Sequence, residues 1–86
     1  MIRMVFDAEG LKRRRESLGL TQDDLSSGMG ISTSSLRPYE LGYRKPSMEN
    51  LEKMAKYLGI EGCELYRLEV DNKADIYWLL HEVDSI

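Results

Sequence analysis

One cysteine and one histidine in 86 residues leave this chain short of the commonest chemical tools. Cys63 alone cannot close an internal disulfide, which suits a reducing compartment and makes packing its expected role. A Cys/His zinc cluster needs more ligands than Cys63 and His81 supply. A Ser/His or Cys/His nucleophilic pair would depend on a single imidazole near the C-terminus. Neither catalysis nor a metal or other cofactor is therefore expected. No window reaches the ~18 consecutive apolar residues of a membrane span. The opening run Met1-Ile2-Arg3-Met4-Val5-Phe6-Asp7 is too short and too charged for a secretory signal, so the expected location is the cytoplasm. Repeats, low-complexity tracts and long linkers are missing as well. Residues 1–86 accordingly read as one domain with one core, small enough for a partner subunit to add useful burial.

What is present is unevenly placed. The net charge of −3 conceals a basic middle, because residues 11–46 hold seven bases (Lys12, Arg13, Arg14, Arg15, Arg37, Arg44, Lys45) against four acids. Residues 47–86 reverse this with four bases and nine acids. A basic front on an acidic back suits an oriented binder of a polyanion.

The spacing of apolar and capping residues predicts helices. Ala8, Leu11 and Leu18 mark a first helix that leaves Lys12 to Glu16 as a solvated face, with Gly19 as its stop. Gly10 in its first turn is an unfavourable helix residue. Thr21-Gln22-Asp23-Asp24 sets a capping hydroxyl three residues before a carboxylate, which starts a second helix at Gln22. That helix should end near Met29, with Gly30 at a tight turn. Ser32 caps a third helix from Thr33 to Leu41, closed by Gly42. A fourth opens at Pro46-Ser47-Met48-Glu49-Asn50 and repeats Leu51, Met54, Ala55 and Leu58 at helical spacing up to Gly59. Glu61 to Leu65 reads as a short fifth helix. Leu68 and Val70 alternate with Arg67 and Glu69, and Ile2 to Phe6 is also strand-like, so these two segments are candidates to pair as a minimal sheet. Ala74 to Val83 forms a last amphipathic helix.

Residues 22–41 meet the steric demands of two short helices crossing at a tight turn. Leu25, Met29, Ile31, Leu36 and Tyr39 fall where the pair would face inward, Ser26 is small at the crossing, and Gly30 stands at the turn. Together with the runs Leu20-Thr21-Gln22, Gly30-Ile31-Ser32, Glu40-Leu41-Gly42 and Arg44-Lys45-Pro46-Ser47, and with Leu51 to Ile60, the chain resembles the lambda-repressor-like (Cro/repressor, Xre-type) helix-turn-helix family over roughly residues 8–66. The resemblance implies an all-α domain of five helices, here with the C-terminal helix over 72–86 added.

It also implies roles. In such proteins the second helix of the motif enters the major groove of double-stranded DNA while the first crosses the backbone. Gln22 then matches a phosphate donor at the start of the first motif helix. Thr33, Ser34, Ser35 and Arg37 match the exposed side of the reading helix, and Tyr43, Arg44 and Lys45 the following loop that grips the backbone. Plainer readings stand beside these: Gln22 as a helix-start residue, the hydroxyls of 33–35 as partners of backbone amides, and Arg13, Arg14 and Arg15 as a solvated face. Two residues depart from the pattern. Pro38 lies inside the third helix, where it removes an amide and crowds the carbonyl of Ser34. Gly28 lies inside the second, for no reason visible in the sequence.

Ile76, Tyr77, Trp78, Leu79, Leu80 and Val83 offer more apolar surface than a terminal helix needs to cover a closed core. Burial against a second copy is the preferred expectation, and folding back on the same domain the alternative. A repressor acting as a dimer on a palindromic operator follows. The competing function is a protein-binding module on the same scaffold, which the net negative charge and Pro38 favour.

Overall fold

The structure, a computed structural model, describes residues 2–70. Along these the elements are β1 (Ile2–Phe6), α1 (Ala8–Ser17), α2 (Gln22–Met29), α3 (Thr33–Leu41), α4 (Met48–Leu58), a 3-10 turn (Gly62–Leu65) and β2 (Tyr66–Val70). The fold is mostly helical, with one two-stranded sheet. The expected all-α domain of five helices is corrected at its fifth helix, and the strand pairing held open beside it is present. The fifth helix is a four-residue 3-10 turn, because Glu61 to Leu65 is too short to repay an α-helical nucleus. The pairing of the two strand-like segments is real: β1 and β2 run antiparallel with Ile2 opposite Val70, Met4 opposite Leu68 and Phe6 opposite Tyr66. Phe6 and Tyr66 meet edge to face with ring centroids 5.9 Å apart, which ties the ribbon to the core at one end.

Helix boundaries follow side-chain chemistry closely. Asp7 caps α1 by accepting from the Gly10 amide at 3.0 Å. A Cβ on Gly10 would lie 2.4 Å from the Asp7 carboxylate, so the unfavourable glycine is what admits the cap. Thr21 and Asp24 form a reciprocal capping box at α2. Ser32 and Ser47 cap α3 and α4 through the amides of Ser35 and Asn50. Gly30, Gly42 and Gly59 end α2, α3 and α4 in the left-handed conformation that glycine adopts without strain.

The core joins all four helices and the 3-10 turn. Leu11, Leu25, Leu36, Met54, Leu58 and Leu65 are almost wholly removed from water, and Met29, Tyr39 and Leu51 complete the cluster. Ile31 packs against it while partly exposed. The four apolar positions of α4 named from its period are all buried. The solvated face assigned to α1 needs correction. Arg15 lies one turn after Leu11 on the same side and is buried, whereas Leu18, beyond the helix, is exposed. Gly28 is explained by α4: a Cβ there would fall 2.3 Å from the Tyr57 ring, which lies directly over the glycine.

No helix among the described residues is long and apolar enough to cross a membrane. The expected C-terminal helix, with Ile76, Tyr77, Trp78, Leu79, Leu80 and Val83, lies outside the described residues.

Candidate nucleic-acid interface

The two helices of the motif are fixed to each other by a polar seam that runs from the buried core out to the surface. Ser26 is buried at the crossing, and its hydroxyl oxygen lies 3.1 Å from that of Thr33 at the start of α3. The Thr33 hydroxyl also donates to the Asp23 carboxylate of α2. At the other end of the seam, Arg15 of α1 donates from Nε and Nη2 to the two carboxylate oxygens of Glu40 in α3, at 2.7 and 3.0 Å. Its Nη1 donates to the Leu20 carbonyl at 2.7 Å, so one guanidinium joins α1, the α1–α2 turn and α3. The Glu40 hydrogen bond raises the Arg15 pKa above its ordinary value despite the opposing effect of burial, and the nearby charges of Glu40 and Glu16 act in the same direction.

Gln22 continues the network outward. Its Nε2 donates to Glu40 at 3.2 Å, and its Oε1 faces the Nε of exposed Arg37 at 3.4 Å. A chain of contacts thus runs from buried Arg15 through Glu40 and Gln22 to Arg37 at the surface. Gln22, Thr33 and Arg37, drawn from two helices, line a single shallow polar recess with Thr21 and Asp23. These three candidate residues are brought together by the fold.

Ser34 and Ser35 are placed differently. Their hydroxyl oxygens lie 3.0 and 2.9 Å from that of Ser32, and the Ser35 amide donates to Ser32, so these residues serve the helix start. Tyr43, Arg44 and Lys45 follow α3 and are exposed. Their loop is anchored at its root, where the amides of Tyr43 and Arg44 donate to the Pro38 carbonyl at 2.9 and 3.3 Å. At its far end Pro46 is buried, and Asn50 donates to the Tyr39 hydroxyl at 3.0 Å. Two cations on a short loop tied at both ends form a second basic feature near α3.

The Arg13-Arg14-Arg15 run separates into three roles. Arg13 is exposed beside Asp7 and Glu9. Arg14 donates from Nε and Nη2 to the Leu58 carbonyl at 3.2 and 3.0 Å, closing the negative end of α4. Arg15 belongs to the buried part of the seam. Sequence reasoning missed Glu40 and Asp23 as the acids that position the surface residues. The signal available was spacing: Arg15 lies one helical turn after buried Leu11, and Glu40 follows Leu36 by the same interval.

Away from this face, Met4, Met48, Leu51, Ala55, Ile60 and Tyr66 line an apolar groove between the ribbon and α4. Met4 and Met48 stand 56% and 70% exposed there.

A tight two-helix unit with a capped second helix, a polar recess across both and a basic loop beyond defines a helix-turn-helix domain. The helix-turn-helix family matches residues 11–65, and the chain belongs to that family. It is similar to the cryptic phage CTXphi transcriptional repressor RstR of Vibrio cholerae, at 35% identity over 54% of this chain and 41% of that protein. The serotype O1 form of that repressor is 33% identical over 91% of this chain and 70% of its own length. Among solved structures, the restriction-modification controller protein C.AhdI of Aeromonas hydrophila superposes with a TM-score of 0.65 at 34% identity, covering 67% of this chain and 88% of that one.

Proposed function

We propose that this protein is a sequence-specific DNA-binding transcriptional repressor that acts as a homodimer on a palindromic operator. The observation that carries the reading is the shared face of Gln22, Thr33 and Arg37, in which residues of both motif helices meet one polar recess. A third helix laid in the major groove would bring Thr33, Ser34 and Arg37 to base edges, with Ser35 at the helix start. Gln22 would then meet the phosphates, as would Tyr43, Arg44 and Lys45 from the exposed loop. The similarity to transcriptional repressors agrees with this assignment. Repression needs no catalysis here: an occupied promoter is closed to polymerase.

The dimer draws support from the apolar groove beside α4, a surface that the described residues leave open to water. The apolar run Ile76, Tyr77, Trp78, Leu79, Leu80 and Val83 would supply the contact. Two-fold pairing would set two reading helices about 34 Å apart, one turn of DNA. Sedimentation of the parent beside Trp78→Ala tests this arm, and a monomer in both would end it.

Selection of bound sites from a random duplex pool tests the whole reading. A palindrome with half-sites one turn apart is the expected product. Fluorescence anisotropy at about 50 and about 200 mM salt should show affinity falling steeply, as counterions are released from the phosphates. Absence of any salt-sensitive binding would favour the alternative, a module that grips another protein.

A further inference from the structure

We infer that Thr33 reads DNA through its methyl group, as a thymine-selecting contact, because α2 holds its hydroxyl. The inference rests on the DNA-binding reading above and adds the chemistry of one specificity-determining position. Thr33 is the first residue of α3, at the end of the helix that meets base edges in this docking geometry. A free threonine hydroxyl would rotate to donate or accept and would read bases without preference. Here it is not free. It donates its proton to the Asp23 carboxylate, and the Ser26 hydroxyl oxygen lies 3.1 Å away on the same helix. Ser26 is itself buried at the helix crossing, with its hydroxyl oxygen 3.2 Å from the Asp23 carbonyl, so this neighbour is fixed by packing.

The consequence follows from what the major groove presents. Guanine offers N7 and O6, adenine N7 and thymine O4, all acceptors that require a donor, while adenine N6 and cytosine N4 are amino donors. A hydroxyl whose proton is committed to a carboxylate cannot serve the acceptors, and its oxygen already lies against the Ser26 hydroxyl of α2 rather than open to an amino group. The polar contacts of the Thr33 side chain thus go to α2, its methyl is the group offered to the groove, and the base edge that matches a methyl is the C5-methyl of thymine. Asp23 is therefore a positioning residue: it touches no base, but it decides which half of Thr33 does.

The test uses the full chain and a duplex recovered by selection. Each thymine of a half-site is replaced in turn by deoxyuridine, which removes one methyl and leaves pairing intact. One position should lose about fourfold in affinity, the weight of one methyl group returned to water. Thr33→Val should keep that sensitivity and Thr33→Ser should erase it, although both alter the same half-buried side chain. Asp23→Ala should weaken the preference for thymine at that position, because the freed hydroxyl can then donate to other bases. A recovered site with no uridine-sensitive position, or equal sensitivity in Thr33→Ser, overturns the inference and leaves DNA binding standing. So does enrichment of cytosine at that position, since its amino group would be accepted by Asp23 directly. A pool that yields no bound sequence overturns the DNA-binding reading and this one with it.

Discussion

Arg15 in α1 and Glu40 in α3 form a two-pronged ion pair whose side chains retain only 9% and 2% of their exposure. In water such a pair contributes little, but burial changes the balance. Each charge has lost its hydration, and it is compensated only while the other is present. Gln22 and the Leu20 carbonyl satisfy further positions on the two groups, so the pair also fixes the turn between α1 and α2. The core thereby reaches the surface face through polar contacts as well as through packing.

Removing one partner should accordingly cost more than removing both. Arg15→Met or Glu40→Leu alone is expected to lose about 3–5 kcal/mol, a large share of the stability of a domain this size. The double variant should recover most of that loss. Denaturant titration of the four proteins measures it, and additive losses would show that the two groups do not compensate each other.

Gly28 and Tyr57 give a prediction whose size depends on background. Alanine is the better helix former by about 1 kcal/mol. Against this, its Cβ would lie 2.3 Å from the Tyr57 ring, which is 44% exposed and would have to swing off its contact with α2. Gly28→Ala should therefore gain less stability in the parent protein than in the Tyr57→Ala variant. Thermal melts of the four combinations decide it, and equal effects in both backgrounds would remove Tyr57 as the reason for the glycine.

The contrast between these two cases shows what the sequence makes legible. Caps and stops act within a few residues, so Thr21, Ser32, Gly30 and Gly42 mark α2 and α3 where the structure has them. The period of α4 and the inward set Leu25, Met29, Leu36 and Tyr39 are equally local signals. Gly28 depends on a residue 29 positions away and Arg15 on one 25 positions away, and no local pattern names either partner. The short segment after Ile60 is ambiguous for another reason, because four residues do not separate a 3-10 turn from a helix by periodicity. At the candidate site, Gln22, Thr33 and Arg37 are legible only through family resemblance. That Asp23 and Glu40 position them needed the fold.

The capping box at α2 gives a pH dependence. The Thr21 amide donates to Asp24 at 2.8 Å, and this bond, with the Thr21 side chain, holds the Asp24 carboxyl below its ordinary range. A carboxylate depressed in the folded state stabilises that state above its unfolded pKa, near about 3.9. The contribution is lost as pH falls through the lower folded value. Asp24→Asn should therefore melt below the parent at neutral pH, and the gap should narrow through pH ~4 and close in stronger acid. Because Asp24 is exposed to solvent, the gap should be small. A gap that is constant across this range would assign the effect to something other than the charge.

Pro38 is held within α3 at a cost that the rest of the helix offsets. The helix continues from Thr33 to Leu41 although proline supplies no amide for the Ser34 carbonyl. Burial of Leu36 and Tyr39 on one side, the Glu40 ion pair, and the Gly42 stop keep the segment helical. The Pro38 carbonyl is used, accepting from Tyr43 and Arg44, and alanine would keep it. Pro38→Ala restores one hydrogen bond and relieves the ring's crowding, worth about 3 kcal/mol together. Against that, it frees the unfolded chain by about 0.4–1 kcal/mol. The gain prevails, so the variant should unfold at higher denaturant by about 1–3 kcal/mol with an unchanged slope. Equal or lower stability would mean that the half-buried ring packs well enough to outweigh the missing amide, and that α3 is built around the proline.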